Sequence, residues 1–445
     1  DLSTPVPLNG YIEFFEDHDT LARQEDEKRA NGSAGTLSGL PLAVKDNILI
    51  KGRKATCASA VLSGFTAPYS ATVIERLSEA GAVPLGRANM DEFAMGSSTE
   101  YSHYGPTRNP HQRDYVPGGS SGGPAAVVAA GQAPAALGSD TGGSVRLPAA
   151  FCGIYGFKPT YGGLSRYGLV AYGSSLDQIG FLSTAPADIA LLFSVAAGRD
   201  PRDTTSRDLD VRGLYPLQPA ALAGLKVAVP TEFLGEGIDP AVRAATDRFI
   251  GWLKKNKAVV TELSIPLLSV CVAIYYIIAP AEASSNLGRY DGVQYGLRVS
   301  EESLSDLYVK TRTKGFGSEV KRRIFVGNYV LSSGYYDAYY KKAQAVRSLL
   351  HKEFDTLFHD YDLILSPTSP TPPFKLGEKT DDPLTMYLQD VCTTYVNLLG
   401  APGISLPAGI TPEGLPIGVQ LVGRPGEDAN LLKAAEIWHR EGDAP

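Results

Sequence analysis

The feature that most constrains this chain is a concentration of small residues between Gly118 and Ser144. Eight glycines and four serines fall within this stretch. Because glycine has no side chain, its backbone turns sharply and lets other groups approach closely, so several N–H groups are able to converge on one point. The composition therefore predicts a site that is built largely from backbone and set within a larger framework.

Around this stretch, short apolar runs alternate with helical patterns. The sequence predicts strands at 40–44, 82–85, 225–229, 364–365 and 417–422, and helices at 71–80, from 240 onward and at 430–438. Ser70 is predicted to cap the helix at 71–80, and Asp239 followed by Pro240 is a favoured helix start. This alternation favours an α/β fold, in which helices cover both faces of a large mixed β-sheet.

Composition excludes several classes of protein. The net charge is −7 and the basic patch at 314–323, on a predicted helix, is mild, so another subunit would supply most contacts to any RNA. The four cysteines and six histidines are dispersed without metal-ligand spacing, which predicts no metal site and a reducing cytoplasm. The sequence shows no signal peptide and no apolar stretch approaching about 18 residues, so no contact with a membrane is expected.

Two segments place reactive side chains near the glycine-rich stretch. Lys45 ends an apolar run that begins at Leu40. Burial there would lower the pKa of the lysine, as a base working near neutral pH requires, although a lysine reaching solvent from a strand end fits the same pattern. Ser120 and Ser121 stand at the entrance of a helix rich in Ala and Val, with Pro124 in its first turn, and one of them is expected to cap that helix.

A third segment, 138–148, centres on Ser144. The N–H groups of Thr141, Gly142 and Gly143 are predicted to form an oxyanion hole beside Ser144, which is the predicted nucleophile. None of the three segments contains a histidine, so the lysine of the first segment is the available base. A serine hydroxyl both donates and accepts, so Ser120 is expected to relay the proton between them.

The three segments together resemble the amidase signature family, whose catalytic unit is Ser–cisSer–Lys. The resemblance implies that Lys45 is the base, Ser120 the bridging serine and Ser144 the acyl-forming nucleophile. Pro124 departs from the family, which most often has serine there. The resemblance also implies a single amidase domain over 1–445, with a signature core at about 35–190, a helical cap-like region at about 235–360, and C-terminal strands and a helix that complete the core.

Further segments are similar to the branch of this family that serves tRNA-dependent amidotransferases. These segments are 89–100, 281–286, 333–340 and 414–423, whereas Arg87 departs from the lysine common in that branch. The resemblance implies hydrolysis of L-glutamine, with the ammonia used to convert Glu-tRNA(Gln) to Gln-tRNA(Gln). It assigns glutamine binding to Tyr275, Arg323 and Asp390, in which the arginine pairs with the α-carboxylate and the aspartate with the α-ammonium. The neighbours Tyr276 and Arg322 leave the exact tyrosine and arginine open.

The same resemblance implies partners and a division of labour. A partner B subunit would use ATP and Mg²⁺ and make most of the contacts to tRNA, a small C subunit would brace this chain, and no cofactor would bind here. The N-terminal helical segment of the family is expected to be missing ahead of Asp1.

Other motifs leave alternatives open. Residues 119–123 satisfy the G-x-S-x-G elbow of a histidine-dependent α/β-hydrolase with Ser121 at its centre, and His351, His359 and His439 follow it. This interpretation leaves the glycine-rich loop and the lysine of the first segment without a role.

Three weaker alternatives concern other classes. Ser318 and Lys321 match the S-x-x-K pattern of penicillin-binding enzymes without its companion motifs, and we treat the match as chance. A non-catalytic nucleotide-binding module is disfavoured, because neither glycine segment has the spacing of a phosphate-binding loop. A stand-alone amidase acting on another small amide is the alternative among enzymes.

Overall fold

The structure is a computed structural model that describes residues 6–219 and 221–442. Within these ranges the chain forms eleven strands, β1 (Tyr11–Phe14), β2 (Pro41–Lys45), β3 (Val83–Ala88), β4 (Ala135–Asp140), β5 (Tyr155–Lys158), β6 (Gln178–Ser183), β7 (Lys226–Pro230), β8 (Val259–Leu263), β9 (Leu363–Pro367), β10 (Gly403–Ile410) and β11 (Pro416–Gly423). The described ranges also contain thirteen α-helices, α1 (His18–Ala30), α2 (Thr72–Glu79), α3 (Gly122–Ala129), α4 (Arg146–Cys152), α5 (Pro186–Ala196), α6 (Pro240–Lys255), α7 (Cys271–Asn286), α8 (Leu304–Gly315), α9 (Ser318–Leu331), α10 (Lys342–Asp360), α11 (Pro383–Tyr387), α12 (Thr394–Leu398) and α13 (Asp428–Glu441). Asp1 lies outside the described residues.

All eleven strands belong to one sheet in the order β1-β3-β2-β4-β6-β5-β10-β11-β9-β7-β8. Strand β2 runs parallel to β3 and β4, and β7 runs parallel to β8 and β9, whereas the other neighbouring pairs are antiparallel. In β9, Leu363 and Leu365 belong to one apolar cluster and Ile364 to another, because successive side chains point to opposite faces. Both faces of the sheet are therefore covered, which confirms the predicted large mixed sheet.

The structure corrects two local expectations. Helix α2 begins at Thr72, and the Ser70 hydroxyl accepts a hydrogen bond from the Lys51 N–H at 2.9 Å instead of capping the helix. The basic patch at 314–323 does not lie on one helix, because α8 ends at Gly315 and α9 begins at Ser318.

The central helix α7 also departs from expectation. The stretch Pro266–Arg289, which contains α7, is long and apolar enough to cross a membrane by length and composition, so the expectation that no stretch approaches that length was wrong. More than half of its most apolar window is buried inside the protein. Helix α7 packs against α9, α10 and α12, and Ile274 and Ile278 lie in the apolar cluster between them.

Residues 235–360 include α6 and β8, which belong to the sheet and its covering layer, as well as the helices α7 to α10. The division of one amidase domain into a core and a cap stays a prediction.

Candidate active site

Lys45 is fully buried at the end of β2. Because side chains alternate along a strand, Lys45 lies on the same face as Ala43, which belongs to the apolar cluster formed with α3. Its Nζ lies 2.8 Å from Ser120 Oγ, 2.8 Å from Ser121 Oγ and 2.9 Å from Ser139 Oγ. The amine is therefore surrounded by hydroxyl groups, and it forms no ion pair within the described part of the chain.

The environment of Lys45 favours its neutral form. Burial lowers the pKa of Lys45 to about 7, because a charged ammonium loses its hydration there. The carboxylates of Asp91, Asp140 and Asp177 oppose this effect from a distance. A large fraction of the amine is therefore neutral near pH 7, which is the state in which a lysine accepts a proton.

The two neighbouring serines differ in what their hydroxyls bind. Ser121 Oγ donates to the Ser139 carbonyl at 3.1 Å and accepts from the Ser139 N–H at 3.3 Å, so its proton is committed. Ser120 Oγ contacts Lys45 Nζ alone among the described residues, and the Gly119–Ser120 peptide bond is cis. The proton of Ser120 is thus the one available for transfer between the lysine and a third group.

Neither serine hydroxyl caps α3, contrary to expectation. Ser121 occupies the position before the helix, but its side chain makes no capping bond. The Gly122 N–H at the helix start donates instead to Thr99 Oγ1 at 3.0 Å, so a residue from a distant segment satisfies it. Both serine hydroxyls are therefore left for the lysine.

Ser144 lies where the glycine loop meets the serine pair. Its carbonyl accepts a hydrogen bond from the Ser121 N–H at 3.1 Å, and the residue is 9% exposed. Its Oγ makes no hydrogen bond to any residue that the structure describes. The contacts of the predicted relay thus run from Lys45 to Ser120, and the link from Ser120 to Ser144 is not made. Catalytic hydrogen bonds often tighten only in the complex with substrate.

Asp140 shapes the loop that leads to Ser144. Its Oδ1 accepts from the Gly143 N–H at 2.9 Å, and its Oδ2 accepts from the Val145 N–H at 3.0 Å. The Gly143 amide is therefore not available to an oxyanion, which corrects the prediction for that residue. The N–H groups of Thr141, Gly142 and Ser144 have no acceptor among the described residues.

A buried ion pair holds Asp140 in place. Arg146 Nη2 donates to Asp140 Oδ1 at 3.0 Å, and neither side chain is exposed. The guanidinium also donates to Gln420 Oε1 at 2.9 Å and to Asn397 Oδ1 at 2.6 Å. Burial alone would raise the pKa of Asp140, but the nearby Arg146 guanidinium brings it below its usual value, so the carboxylate stays ionised.

A second polar cluster surrounds Asp390. Ser97 Oγ lies 3.0 and 2.9 Å from the two carboxylate oxygens, and the Tyr276 hydroxyl donates to Oδ2 at 2.8 Å. Burial raises the pKa of Asp390 to about 7. A cation bound beside this carboxylate would favour its ionised form.

Arg323 lies buried on α9 within a ring of tyrosines. Its guanidinium carbon is 5.7 Å from the ring centre of Tyr172, 5.2 Å from that of Tyr276 and 5.3 Å from that of Tyr387. Its Nε donates to Glu319 Oε1 at 2.8 Å, and its Nη1 donates to the Tyr172 hydroxyl at 2.6 Å. The Nη2 group has no acceptor among the residues described, so it is available to a carboxylate.

The structure separates the two neighbouring arginines by their burial, whereas both neighbouring tyrosines line the site. A Cβ atom on Gly142 would lie 2.6 Å from the Tyr275 ring, so that ring covers the glycine loop, while Tyr276 contacts the carboxylate of the second cluster. Arg322 is partly exposed and pairs with Glu319 from the solvent side. Both tyrosines thus face the site, and the buried arginine is the one within it.

Thr393 joins the two clusters. Its Oγ1 donates to the Gly142 carbonyl at 2.6 Å, and its N–H donates to the Asp390 carbonyl at 3.1 Å. The glycine loop and the carboxylate are therefore held at a fixed separation.

Residues of segment 89–100 brace the site, although sequence reasoning assigned them no individual role. Asp91 Oδ2 accepts from the Thr99 N–H at 2.8 Å, and Thr99 Oγ1 donates to the Gly118 carbonyl at 2.8 Å. A Cβ atom on Gly119 would lie 2.1 Å from Asp91 Oδ2, so only glycine fits there. The cluster of Asp, Ser and Thr in this segment was the available signal. Sequence reasoning also assigned no individual role to Glu319, Tyr172, Thr393 and the Asp140–Arg146 pair.

The structure disfavours the alternative motifs. Ser121 is fully buried, and no histidine contacts it in the described ranges; His439 Nδ1 lies 3.3 Å from the Tyr155 hydroxyl instead. Lys321 Nζ donates to the Thr313 carbonyl at 2.7 Å and not to a serine. Among the described residues, no three His, Cys, Asp or Glu side chains cluster as a metal ion would require.

The fold and the lysine–serine cluster define the class of protein. The profile of the amidase family matches residues 6–432. The chain belongs to the amidase family, as the three motifs predicted.

More closely, the chain is similar to proteins that bear the name of the A subunit of glutamyl-tRNA(Gln) amidotransferase. It is 55% identical to the protein of that name from Moorella thermoacetica over 94% of this chain and 86% of the relative. Identity to the protein from Treponema denticola is 51%, over 99% and 93% of the two chains. The crystal structure of the protein from Thermotoga maritima superposes with a TM-score of 0.80 at 43% identity, over 97% of this chain and 92% of that one.

Proposed function

We propose that this chain hydrolyses L-glutamine to glutamate and ammonia as the A subunit of a glutamyl-tRNA(Gln) amidotransferase. The observation that carries the proposal is the buried amine of Lys45, 2.8 Å from Ser120 Oγ in a cluster without histidine. Similarity to the named A subunits over nearly the whole chain supports the biological context. A stand-alone amidase would share the lysine–serine cluster, so the choice between the two depends on the substrate.

Acylation begins with the neutral lysine. Lys45 takes the Ser120 proton, Ser120 takes the proton of Ser144, and Ser144 Oγ attacks the amide carbon of glutamine. The N–H groups of Thr141, Gly142 and Ser144 stabilise the resulting oxyanion; each such donor is worth on the order of a hundredfold in rate. Collapse of the tetrahedral species breaks the C–N bond, and the relay returns the proton to the leaving nitrogen, which departs as ammonia.

Deacylation uses the same relay in the same order. Water gives a proton through Ser120 to Lys45 and attacks the γ-glutamyl ester on Ser144. The second tetrahedral species collapses to glutamate, and the proton returns to Ser144 Oγ. No group other than the substrate and water is consumed, so atoms and protons balance over the cycle.

Selectivity for glutamine comes from its α-carbon groups. The free Nη2 group of Arg323 pairs with the α-carboxylate, and Asp390 pairs with the α-ammonium. Tyr275 covers the glycine loop. Together with Tyr276, it closes the space between these two charged groups. Thr393 ties this cluster to the loop of the nucleophile, and this link supports the proposal that glutamine binds with its amide carbon at Ser144.

The proposed setting is an assembly of several subunits. A B subunit binds most of the tRNA and uses ATP and Mg²⁺ to activate the misacylated end, and a C subunit braces this chain. This chain itself holds no cofactor in the proposed reaction, and it works in the cytoplasm, where aminoacyl-tRNA is made.

The pH dependence of kcat/KM is expected to report two groups. Lys45 must be neutral and Asp390 ionised, and each has a pKa of about 7 in the free protein. As pH rises through 7, kcat/KM for glutamine should therefore increase with the loss of two protons rather than one. For the Asp390→Asn variant, the plateau of kcat/KM at high pH should be lower, and the rise with pH should depend on the loss of one proton instead of two. An unchanged acid limb in that variant would contradict the role of this carboxylate.

Arg323→Ala is expected to raise KM for glutamine by about tenfold to a hundredfold, because the α-carboxylate loses a charged hydrogen bond. Arg322→Ala is the matched control and should leave KM nearly unchanged, since that side chain is partly exposed. Ammonia release from glutamine and from a simple aliphatic amide would be measured for each protein. Equal losses on both substrates, or faster turnover of the simple amide by the unaltered chain, would favour the stand-alone amidase.

A further inference from the structure

We propose that the groove between α8 and α9 is the docking site for an apolar, acidic segment of a partner subunit. This inference rests on the proposed function, because the partner is another subunit of the amidotransferase. The groove has a volume of about 290 Å³ and is lined chiefly by Val309, Arg312, Phe316, Lys321, Ile324 and Phe325. We call it the outer groove.

Large apolar side chains are exposed on the lips of the outer groove. Phe325 is 72% exposed on α9, and Val309 is 60% exposed on the facing side of α8. One turn further along α9, the Tyr329 ring lies 4.3 Å from that of Tyr335, and both are exposed. A contiguous apolar and aromatic surface of this kind is typical of protein–protein interfaces, whose cores are enriched in aromatic residues.

The positive charge of α8, α9 and their connection favours an acidic occupant of the outer groove. From Leu304 to Leu331 the two helices and their connection carry six basic residues, Lys310, Arg312, Lys314, Lys321, Arg322 and Arg323, and two acidic residues, Asp306 and Glu319, whereas the whole chain has a net charge of −7. The two cations that line the groove have carbonyl partners rather than carboxylates. Arg312 donates to the carbonyls of Leu287 and Tyr290, and Lys321 donates to that of Thr313. Asp291 and Glu92 act on these two cations electrostatically, but neither carboxylate is hydrogen-bonded to them, so a carboxylate supplied by the occupant is able to pair with them directly.

The position of the groove connects it to the site. The outer face of α9 carries Phe325 and Lys321, and the buried face of the same helix carries Arg323 and Glu319. A segment bound in the outer groove would thus rest on the helix that holds the proposed carboxylate-binding arginine. The apolar floor formed by Phe316 and Ile324 favours a polypeptide over RNA, whose backbone is charged throughout.

The test compares assembly with activity. The chain and its variants would be mixed with the purified B and C subunits of the same organism, and Kd would be measured for each. Phe325→Ala and Lys321→Glu are each expected to raise Kd by about tenfold to a hundredfold, as truncation of an interface anchor does. Phe14→Ala is the matched control, because Phe14 is 57% exposed on β1 and does not line the outer groove, and its Kd should not change.

Glutamine hydrolysis by each isolated chain provides the separate readout. We expect Phe325→Ala to retain the activity of the unaltered chain, since its side chain lies outside the site. An unchanged Kd for both groove variants would overturn the docking proposal. So would a loss of tRNA binding without a loss of assembly, or a Phe325-dependent dimer of this chain. An unaltered chain that fails to hydrolyse glutamine yet assembles through Phe325 would overturn the proposed reaction and support the docking site.

Discussion

Replacing Ser144 with alanine is expected to lower kcat for glutamine hydrolysis by a factor on the order of 10⁴ or more. The alanine has no oxygen to attack the amide carbon, so the covalent route closes. The loop should keep its shape, because it is held by the Asp140 carboxylate and by the Ser144 carbonyl, neither of which the substitution removes. Ammonia release under saturating glutamine measures the effect, and an unchanged melting temperature shows that the fold survives.

Ser121→Ala is the control that separates the two serine mechanisms. Its hydroxyl proton is committed to the Ser139 carbonyl, so we expect a moderate loss from disturbance of the lysine and not a loss like that of Ser144→Ala. A histidine-dependent hydrolase with Ser121 as nucleophile requires the opposite ranking. Substantial turnover by Ser144→Ala together with an inactive Ser121→Ala would overturn the assignment.

Asp140→Asn is expected to destabilise the protein by about 3–5 kcal/mol, because it leaves the Arg146 guanidinium buried without its counter-charge. An asparagine amide would also place a donor against the N–H groups of Gly143 and Val145, from which the carboxylate now accepts. The loop that carries the oxyanion donors would lose its anchor, so kcat should fall on the order of a hundredfold. Denaturant unfolding and steady-state kinetics measure the two effects.

Asp210→Asn provides the matched control for that ion pair. Asp210 accepts two hydrogen bonds from the Arg212 guanidinium and one from the Arg212 backbone N–H at the surface, and removal of its charge should cause no measurable change in stability. The sign of the pH effect is also fixed. Because the folded pKa of Asp140 is lowered, its stabilisation is full above about pH 4 and is lost as pH falls through the folded value. Equal stability of Asp140→Asn and the unaltered protein at neutral pH would contradict this account.

Local pattern was sufficient for the framework of the fold. Strands such as β2 and β11 are recognisable as apolar runs bounded by turn residues, and β2 ends at Lys45 as predicted. The helix ends were less predictable, since Ser70 makes its hydrogen bond to a neighbouring loop rather than to the helix that follows it. A capping residue is chosen by three-dimensional proximity, and Thr99 caps α3 from a distant segment for the same reason.

The candidate site, like the fold, could be predicted from sequence only in part. The glycine loop and the lysine could be located from sequence, because each is defined by a short run of residues. The pairing of Ser97 with Asp390 joins residues 293 positions apart, and no local pattern encodes it. Gly142 illustrates the difference. The sequence predicted that its N–H belongs to the oxyanion hole, and the structure adds that a side chain at this position would meet the Tyr275 ring.

The most direct test of the central claim is to locate the covalent intermediate. The protein would be treated with a reactive diazoketone analogue of glutamine, digested, and the modified residue identified by mass spectrometry. We predict a single adduct on the peptide that contains Ser144, absent from Ser144→Ala and blocked by excess glutamine. An adduct on Ser121, on a cysteine or on a histidine would contradict the Lys45–Ser120–Ser144 relay.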